Sequence, residues 1–322
     1  AGASKPSALT GRLPDMRVLI VTAIALPLAA ACLCTVRLGW ADCLFHKGTP
    51  QSVERARRLA PGNASYLIQP GAGRALAERA VRANPRSADG WIELGLAAEL
   101  EGRRKEAEEH LLEAARVDRT YVPRWTLANF YFRMGDAGQF WRWARLACEM
   151  AYEDQTPLFR LCRRVSQDPA VTVSRVLRGL PAIQAQFLRF LLIEGEVAPA
   201  SAVAGPLAVS CSRREAPVVL EYCERALMAG EAQAAQKAWN ALSRRGLVAG
   251  GEIQPAEGRS LVNGEFASEP LGLAFDWRLH RLEGVSAARS DTGLRFVLSG
   301  RQPESCVLLE QVLLLAPSSE YL

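Results

Sequence analysis

The sequence predicts a mainly α protein: an α-solenoid of helical hairpins, preceded by one transmembrane helix and followed by an incomplete β-sandwich segment. Three observations predict it. Trp91 and Trp125 stand 34 residues apart, each opening a similar stretch of apolar and small residues, as helix–turn–helix repeats do. The run Val18 to Val36 holds 19 residues without a charge. After Gly246 the helical pattern gives way to short apolar runs bounded by Gly, Pro and Ser, which read as strands.

Residues 1–17 form a short tail before the apolar run. At roughly 1.5 Å per residue, residues 18–36 extend about 28 Å as a helix, enough to cross a hydrocarbon core. Pro27 kinks such a helix without forbidding it. A cleaved secretory signal has a shorter apolar region, and the lipoprotein-like stretch Leu28 to Cys32 places its Leu four residues before the Cys rather than three. The run is therefore read as an uncleaved single-pass anchor. Lys5, Arg12 and Arg17 precede it and Arg37, Lys47 and Arg55 follow, so flanking charge leaves the orientation tied. The shortness of the tail suits an inside amino terminus, with the bulk of the chain outside the cytoplasm.

Residues 50–246 read as helices throughout. Ser52 to Leu59 forms one, closed by Pro61, and Arg74 to Ala83 another, closed by Pro85. Between them Pro70-Gly71 breaks the helix expected at Ala64 to Gly73. The clearest unit runs from Arg86 to Arg119. There Gly95, Ala98, Ala107 and Ala114 let two helices approach while Trp91, Leu94 and Leu111 fill the seam, with the turn at Gly102. The next unit turns at Gly135-Asp136, and Trp141 stands where a small residue is usual, predicting looser or re-angled packing. Later hairpins, Gln184 to Leu192 with Ala200 to Val209 and Val218 to Met228 with Ala232 to Leu242, turn at Gly195 and Gly230. The aromatic cluster between Tyr121 and Trp143 falls at helical spacing and reads as core.

The pattern Trp91-x2-Leu94-Gly95-x2-Ala98 with Ala107-x3-Leu111 and Ala114, followed from Trp125 by Trp125-x2-Ala128, Phe132, Gly135 and Cys148, resembles the tetratricopeptide repeat family. That resemblance implies a protein-binding solenoid. It puts Ile92, Leu96 and Glu99, and in the next unit Phe130, Arg133 and Met134, on a mostly apolar concave groove. The Lys and Asn pattern with which some relatives clamp a peptide carboxylate is not present there.

Residues 247–260, with Gly250, Gly251, Gly258 and Pro255, read as a linker. Strands are expected within Leu261–Phe266, Phe275–Leu279, Gly293–Leu298 and Cys306–Val312. Asn263-Gly264-Glu265-Phe266 together with Gln311, Val312, Pro317 and Tyr321 resembles a jelly-roll domain of the carbohydrate-binding-module type. The 62 residues from 261 to 322 are few for its eight strands, so a truncated half-domain with unpaired edges, prone to aggregation, is expected. The resemblance implies Asn263, Asp276, Trp277 and Arg278 as candidate glycan neighbours. The layout as a whole, residues 120–165 and 261–312 above all, is similar to tetratricopeptide-repeat proteins encoded beside bacterial exopolysaccharide genes. That likeness implies an inner-membrane protein, its bulk periplasmic.

Chemistry is not expected. GxSxG, HExxH and P-loop patterns are absent, and Gly71-Ala72-Gly73 lacks the third glycine and the preceding strand of a dinucleotide fingerprint. The eight cysteines include no CxxC pair and there are three histidines, so neither a metal nor a cofactor is predicted. Cys148, Cys162, Cys211 and Cys223 fall in helices as small core residues, with a Cys211–Cys223 disulfide open only to an extracytoplasmic chain. His110, among Glu108, Glu109 and Glu113, reads as surface. The net charge of +5 is spread among acidic neighbours, a solvated face rather than a nucleic-acid footprint. The expected function is a non-enzymatic, membrane-tethered scaffold for protein partners of the cell envelope. The alternative is a glycan-binding protein whose sandwich meets polysaccharide while the repeats serve as a spacer.

Overall fold

The computed structural model describes residues 16–68, 73–150, 154–290 and 293–317, with side chains from residue 23 onward. The amino-terminal tail, Pro70-Gly71 and Tyr321 lie outside the described residues. The chain is mostly helical and divides into two compact units, residues 1–119 and 120–322.

In the first unit, α1 (Met16–His46) carries the apolar run ten residues further than the uncharged stretch predicts. Ala23–His46 is long and apolar enough to cross a membrane, and every side chain from Ala23 to Trp40 is exposed. α2 (Pro50–Leu59) starts at a capping box in which Thr49 and Ser52 satisfy each other's backbone. Its inner face, with Ala56 and Ala60, packs with Ala41, Leu44 and Tyr66. A single 3-10 turn, Ala64–Tyr66, stands where a full first helix was not expected.

α3 (Arg74–Ala83), α4 (Ala88–Leu100) and α5 (Arg104–Val117) follow. The α4–α5 seam forms as the small residues predict: Leu94, Ala98, Ala107, Leu111 and Ala114 are all buried. Gly95 is required there, because a Cβ would lie 2.6 Å from Leu111 Cγ and Cδ2. His110 is not a free surface group. It lies half-buried, its ring 5.6 Å from Trp91 and its Nε2 3.4 Å from Glu106.

The second unit opens with the hairpin α6 (Tyr121–Met134) and α7 (Ala137–Cys148). Phe130, Tyr131, Phe140 and Trp143 are buried core. Trp141 does not wedge between the helices. It sits half-buried, edge-on to Phe140, and the buried small residues of α7 are Ala144, Ala147 and Cys148. α8 (Thr156–Val165) pairs with the short α9 (Pro169–Thr172), which relaxes into a π-turn at Val173–Leu177. α10 (Pro181–Ile193) with α11 (Val197–Ser210), and α12 (Ala216–Met228) with α13 (Ala232–Arg244), complete the helices.

The predicted glycine turns share one construction. In each, the amide after a left-handed Gly donates to a carbonyl five residues back: Arg103 to Ala98, Asp136 to Tyr131, Glu196 to Leu191 and Glu231 to Ala226, at 2.8–3.0 Å. This is the Schellman closure that only a residue tolerating positive φ permits cheaply. Two arginines tie hairpins of the second unit together across about a repeat length. Arg225 donates to the Leu192 carbonyl, 33 residues earlier, and Arg145 to that of Val176, 31 residues later.

The carboxy-terminal segment departs from expectation. The described residues hold two separate two-stranded antiparallel ladders. β1 (Arg278–Leu279) pairs with β4 (Leu309–Glu310), and β2 (Val285–Ser290) with β3 (Gly293–Leu298). Residues 261–266 are not a strand: Asn263 and Phe266 have φ of 48° and 52°, which no extended strand admits. The stretch read as a linker is packed against α13. Asn240 brackets Ile253, accepting from its N–H at 2.8 Å and donating to its carbonyl at 2.9 Å. Phe275, fully buried, meets Trp239 edge-on at 5.7 Å, and Glu224 binds the Ala274 amide and Arg278. This segment therefore covers the last helical hairpin, an end that a repeat fold must seal from water.

Candidate functional site

In the second unit α10 lies between α8 and α12, the first helices of three successive hairpins. A groove of about 680 Å³ runs across them. Its apolar floor comes from Phe190, Ile193 and Val218, and its rim carries Arg160, Arg189 and Arg214. Phe190 and Val218 are seated in the core, whereas Ile193, in the last turn of α10, is 71% exposed.

The groove's charges are unequally committed. Asp154 accepts from the Thr156 amide and hydroxyl, at 3.0 and 2.7 Å, at the start of α8. Those bonds, with Arg160 nearby, hold its carboxyl below the usual range. Glu215 accepts from the Ser212 amide and hydroxyl, 2.8 and 2.5 Å, before α12, and is lowered by the same cause. Glu194 meets Arg160 at 3.9 Å, a loose contact between exposed groups. Arg189 and Arg214, both exposed, take part in no ion pair among the described residues. Two of the three acids are thus spent on helix starts, while Arg189 and Arg214 carry no ion pair beside an exposed aliphatic side chain. Such a surface suits a segment carrying carboxylates and one apolar residue.

No protein-family model matches the chain, and no curated protein matches it. Among solved structures, one described as "Functional Characterization of Pseudomonas Aeruginosa pilF" aligns with 66% of this chain and 91% of its own, at 16% identity and a TM-score of 0.28. The fold stands on its own hairpins.

The residues singled out in the sequence lie elsewhere. Ile92, Leu96 and Glu99 are on α4 in the first unit, with Ile92 buried and the other two half-buried. Phe130, Arg133 and Met134 are on α6 in the second unit. Phe130 is core, its ring 5.3 Å from Tyr131, while Arg133 is exposed and Met134 half-buried.

Asn263 and Asp276 are buried and knit a local turn. Asn263 Nδ2 donates to the Ser268 carbonyl at 3.0 Å, and Asp276 accepts from the Leu271 and Trp277 amides at 2.9 and 2.8 Å. Trp277 donates its Nε1 to the Asn263 carbonyl and stacks on Phe266 at 5.4 Å. Arg278 is held by Glu224 at 2.6 Å. A broader cleft of about 1060 Å³, lined by His280, Arg281, Glu283, Arg289 and Leu294 among others, opens beside the β2–β3 hairpin without any of these four.

The groove's own residues had one signal in the sequence. An apolar residue stands two positions before the glycine in three of the turns, and Leu100, Ile193 and Met228 are 90%, 71% and 78% exposed. A core residue would not recur so regularly at an exposed helix end. The arginines show no such period and so carry no signal in the sequence.

Cys148, Cys162, Cys211 and Cys223 are free and buried, as core residues should be, and no disulfide joins Cys211 to Cys223. Burial pushes the thiols of Cys148 and Cys223 up to about 12 and that of Cys162 upward as well, so none is a ready nucleophile.

Proposed function

We propose that the chain is a non-enzymatic, membrane-tethered scaffold that holds an acidic, apolar-bearing segment of a partner protein in the α8–α10–α12 groove. α1 is its single-pass anchor, the repeats lie outside the cytoplasm, and the setting is envelope or exopolysaccharide assembly. One observation carries the binding reading: Arg189, on α10, and Arg214, in the turn before α12, stand without an ion pair beside the exposed Ile193.

The experiment is in-cell photocrosslinking from position 193 in the full chain. A discrete protein adduct that disappears in the Arg189→Glu/Arg214→Glu variant supports the reading. An adduct indifferent to both charges, or none beyond background, overturns it. The same preparation, offered polysaccharide, tests the glycan alternative. Retention abolished by Arg281→Ala/Arg289→Ala in the β-hairpin cleft, and untouched by the groove variant, would move the binding site there.

A further inference from the structure

α1 does not stop where its uncharged run does. Uncharged sequence ends at Val36, and the helix continues ten residues to His46, about 15 Å further. The turn Lys47–Thr49 then reverses the chain. α2 packs back along α1, with Ala56 and Ala60 in one core with Ala41 and Leu44. Since α2 is also ten residues long, its last turn returns to the level at which the uncharged run of α1 ends.

Within about one helical turn of that level the surface is basic and aromatic. Arg37, Arg55 and Arg58 are exposed. Arg37 and Arg55 are in no ion pair among the described residues, and Arg58 has only Glu54, at 3.4 Å. Arg57 is otherwise engaged, donating its Nε to the Tyr66 carbonyl at 2.7 Å. Trp40, 62% exposed, sits about one turn beyond Val36, the depth at which an amphipathic ring meets lipid headgroups. Asp42 and Glu54 are the acids of residues 37–60, against Arg37, Lys47, Arg55, Arg57 and Arg58.

We infer that the α1–α2 hairpin is a phospholipid-binding shelf: with α1 in the bilayer, Arg37, Arg55 and Arg58 engage the phosphates of anionic headgroups while Trp40 lies in the interface. The inference rests on α1 being an anchor. Its consequence is mechanical. A lone spanning helix is free to spin and tilt, whereas a helix braced by arginines on a second, packed helix presents the first repeat unit to the membrane in one attitude.

Hydrogen exchange of the full chain in nanodiscs tests this, comparing phosphatidylcholine alone with a mixture containing phosphatidylglycerol. Amides of residues 50–59 should exchange more slowly in the anionic discs, about fivefold for each arginine engaged. Arg55→Gln/Arg58→Gln should abolish the difference, Arg55→Lys/Arg58→Lys should keep most of it, and inorganic phosphate added to neutral discs should not reproduce it. Protection of residues 23–36 without any lipid dependence at 50–59 overturns the shelf and leaves the anchor standing. Rapid exchange of residues 23–36 in both discs overturns the anchor, and the shelf with it.

Discussion

Arg245 donates its guanidinium to the carbonyl oxygens of Val209 (2.7 Å) and Cys211 (2.8 Å), 36 and 34 residues before it in the chain. A helix end leaves carbonyls without intrahelical donors and carries negative partial charge. A forked cation from the neighbouring hairpin answers both needs at once. Arg225 and Arg145 make related reaches, to Leu192 and Val176. Successive hairpins of the second unit are thereby pinned at their ends as well as packed along their sides.

Arg245→Ala should destabilise the second unit by about 1 kcal/mol, since the bonds are charged but partly solvated. Arg245→Lys, offering a point charge in place of a fork, should recover only part of it. Urea unfolding followed by helical circular dichroism checks both, and an unchanged midpoint in Arg245→Ala would show the contact to be idle.

Gly95→Ala should cost about 1–3 kcal/mol through overpacking, because the new methyl meets Leu111 at 2.6 Å. Leu111→Ala alone should cost about 2–5 kcal/mol by opening a cavity. Combined, the two should cost less than their sum, since each relieves the other's fault. Strict additivity in a double-mutant cycle would mean the seam is not as tight as described.

Arg74 and Arg103 hold the Glu106 carboxyl down at about 2, from an ordinary value near 4.5. A carboxyl lowered in the folded state stabilises the fold above its unfolded value and loses that contribution as pH falls. The loss should therefore run from about pH 4.5 down to about 2. Glu78, Glu101 and His110 share the cluster, so Glu106→Gln should flatten the acid limb of the stability curve without erasing it. Thermal melts across that range would decide the matter.

A thiol-alkylating reagent at mildly alkaline pH should modify Cys306 readily and spare Cys148, Cys162 and Cys223, whose burial keeps them protonated. Denaturant should release all three. Mass spectrometry of peptides after timed labelling reads the order directly, and early modification of Cys223 would contradict its seat beneath α13.

Much of the helical part was legible because its determinants are near neighbours in sequence. Gly102, Gly135, Gly195 and Gly230 mark the turns, and each turn closes through a bond spanning five residues. Gly95 and Leu111 declared their seam by size alone. The carboxy-terminal stretch was misread for the opposite reason. Leu261 to Phe266 has the apolar content of a strand, but Asn263 and Phe266 adopt positive φ, held by bonds to Ser268 and by the ring of Trp277. Likewise Gly250 and Gly251 suggest a free linker, and only Asn240, on α13, reveals that Ile253 is tied down.

By itself the sequence determined the apolar helix at the start, the succession of helical hairpins and the positions of their turns, because helix period and left-handed glycine act within a few residues. Tertiary structure alone decided which arginines stand free in the groove, which bind a distant helix end, and that the last segment seals the final hairpin. Those outcomes depend on side chains brought together from tens of residues apart, and a charge or an apolar residue has no assigned role until its neighbours in space are known.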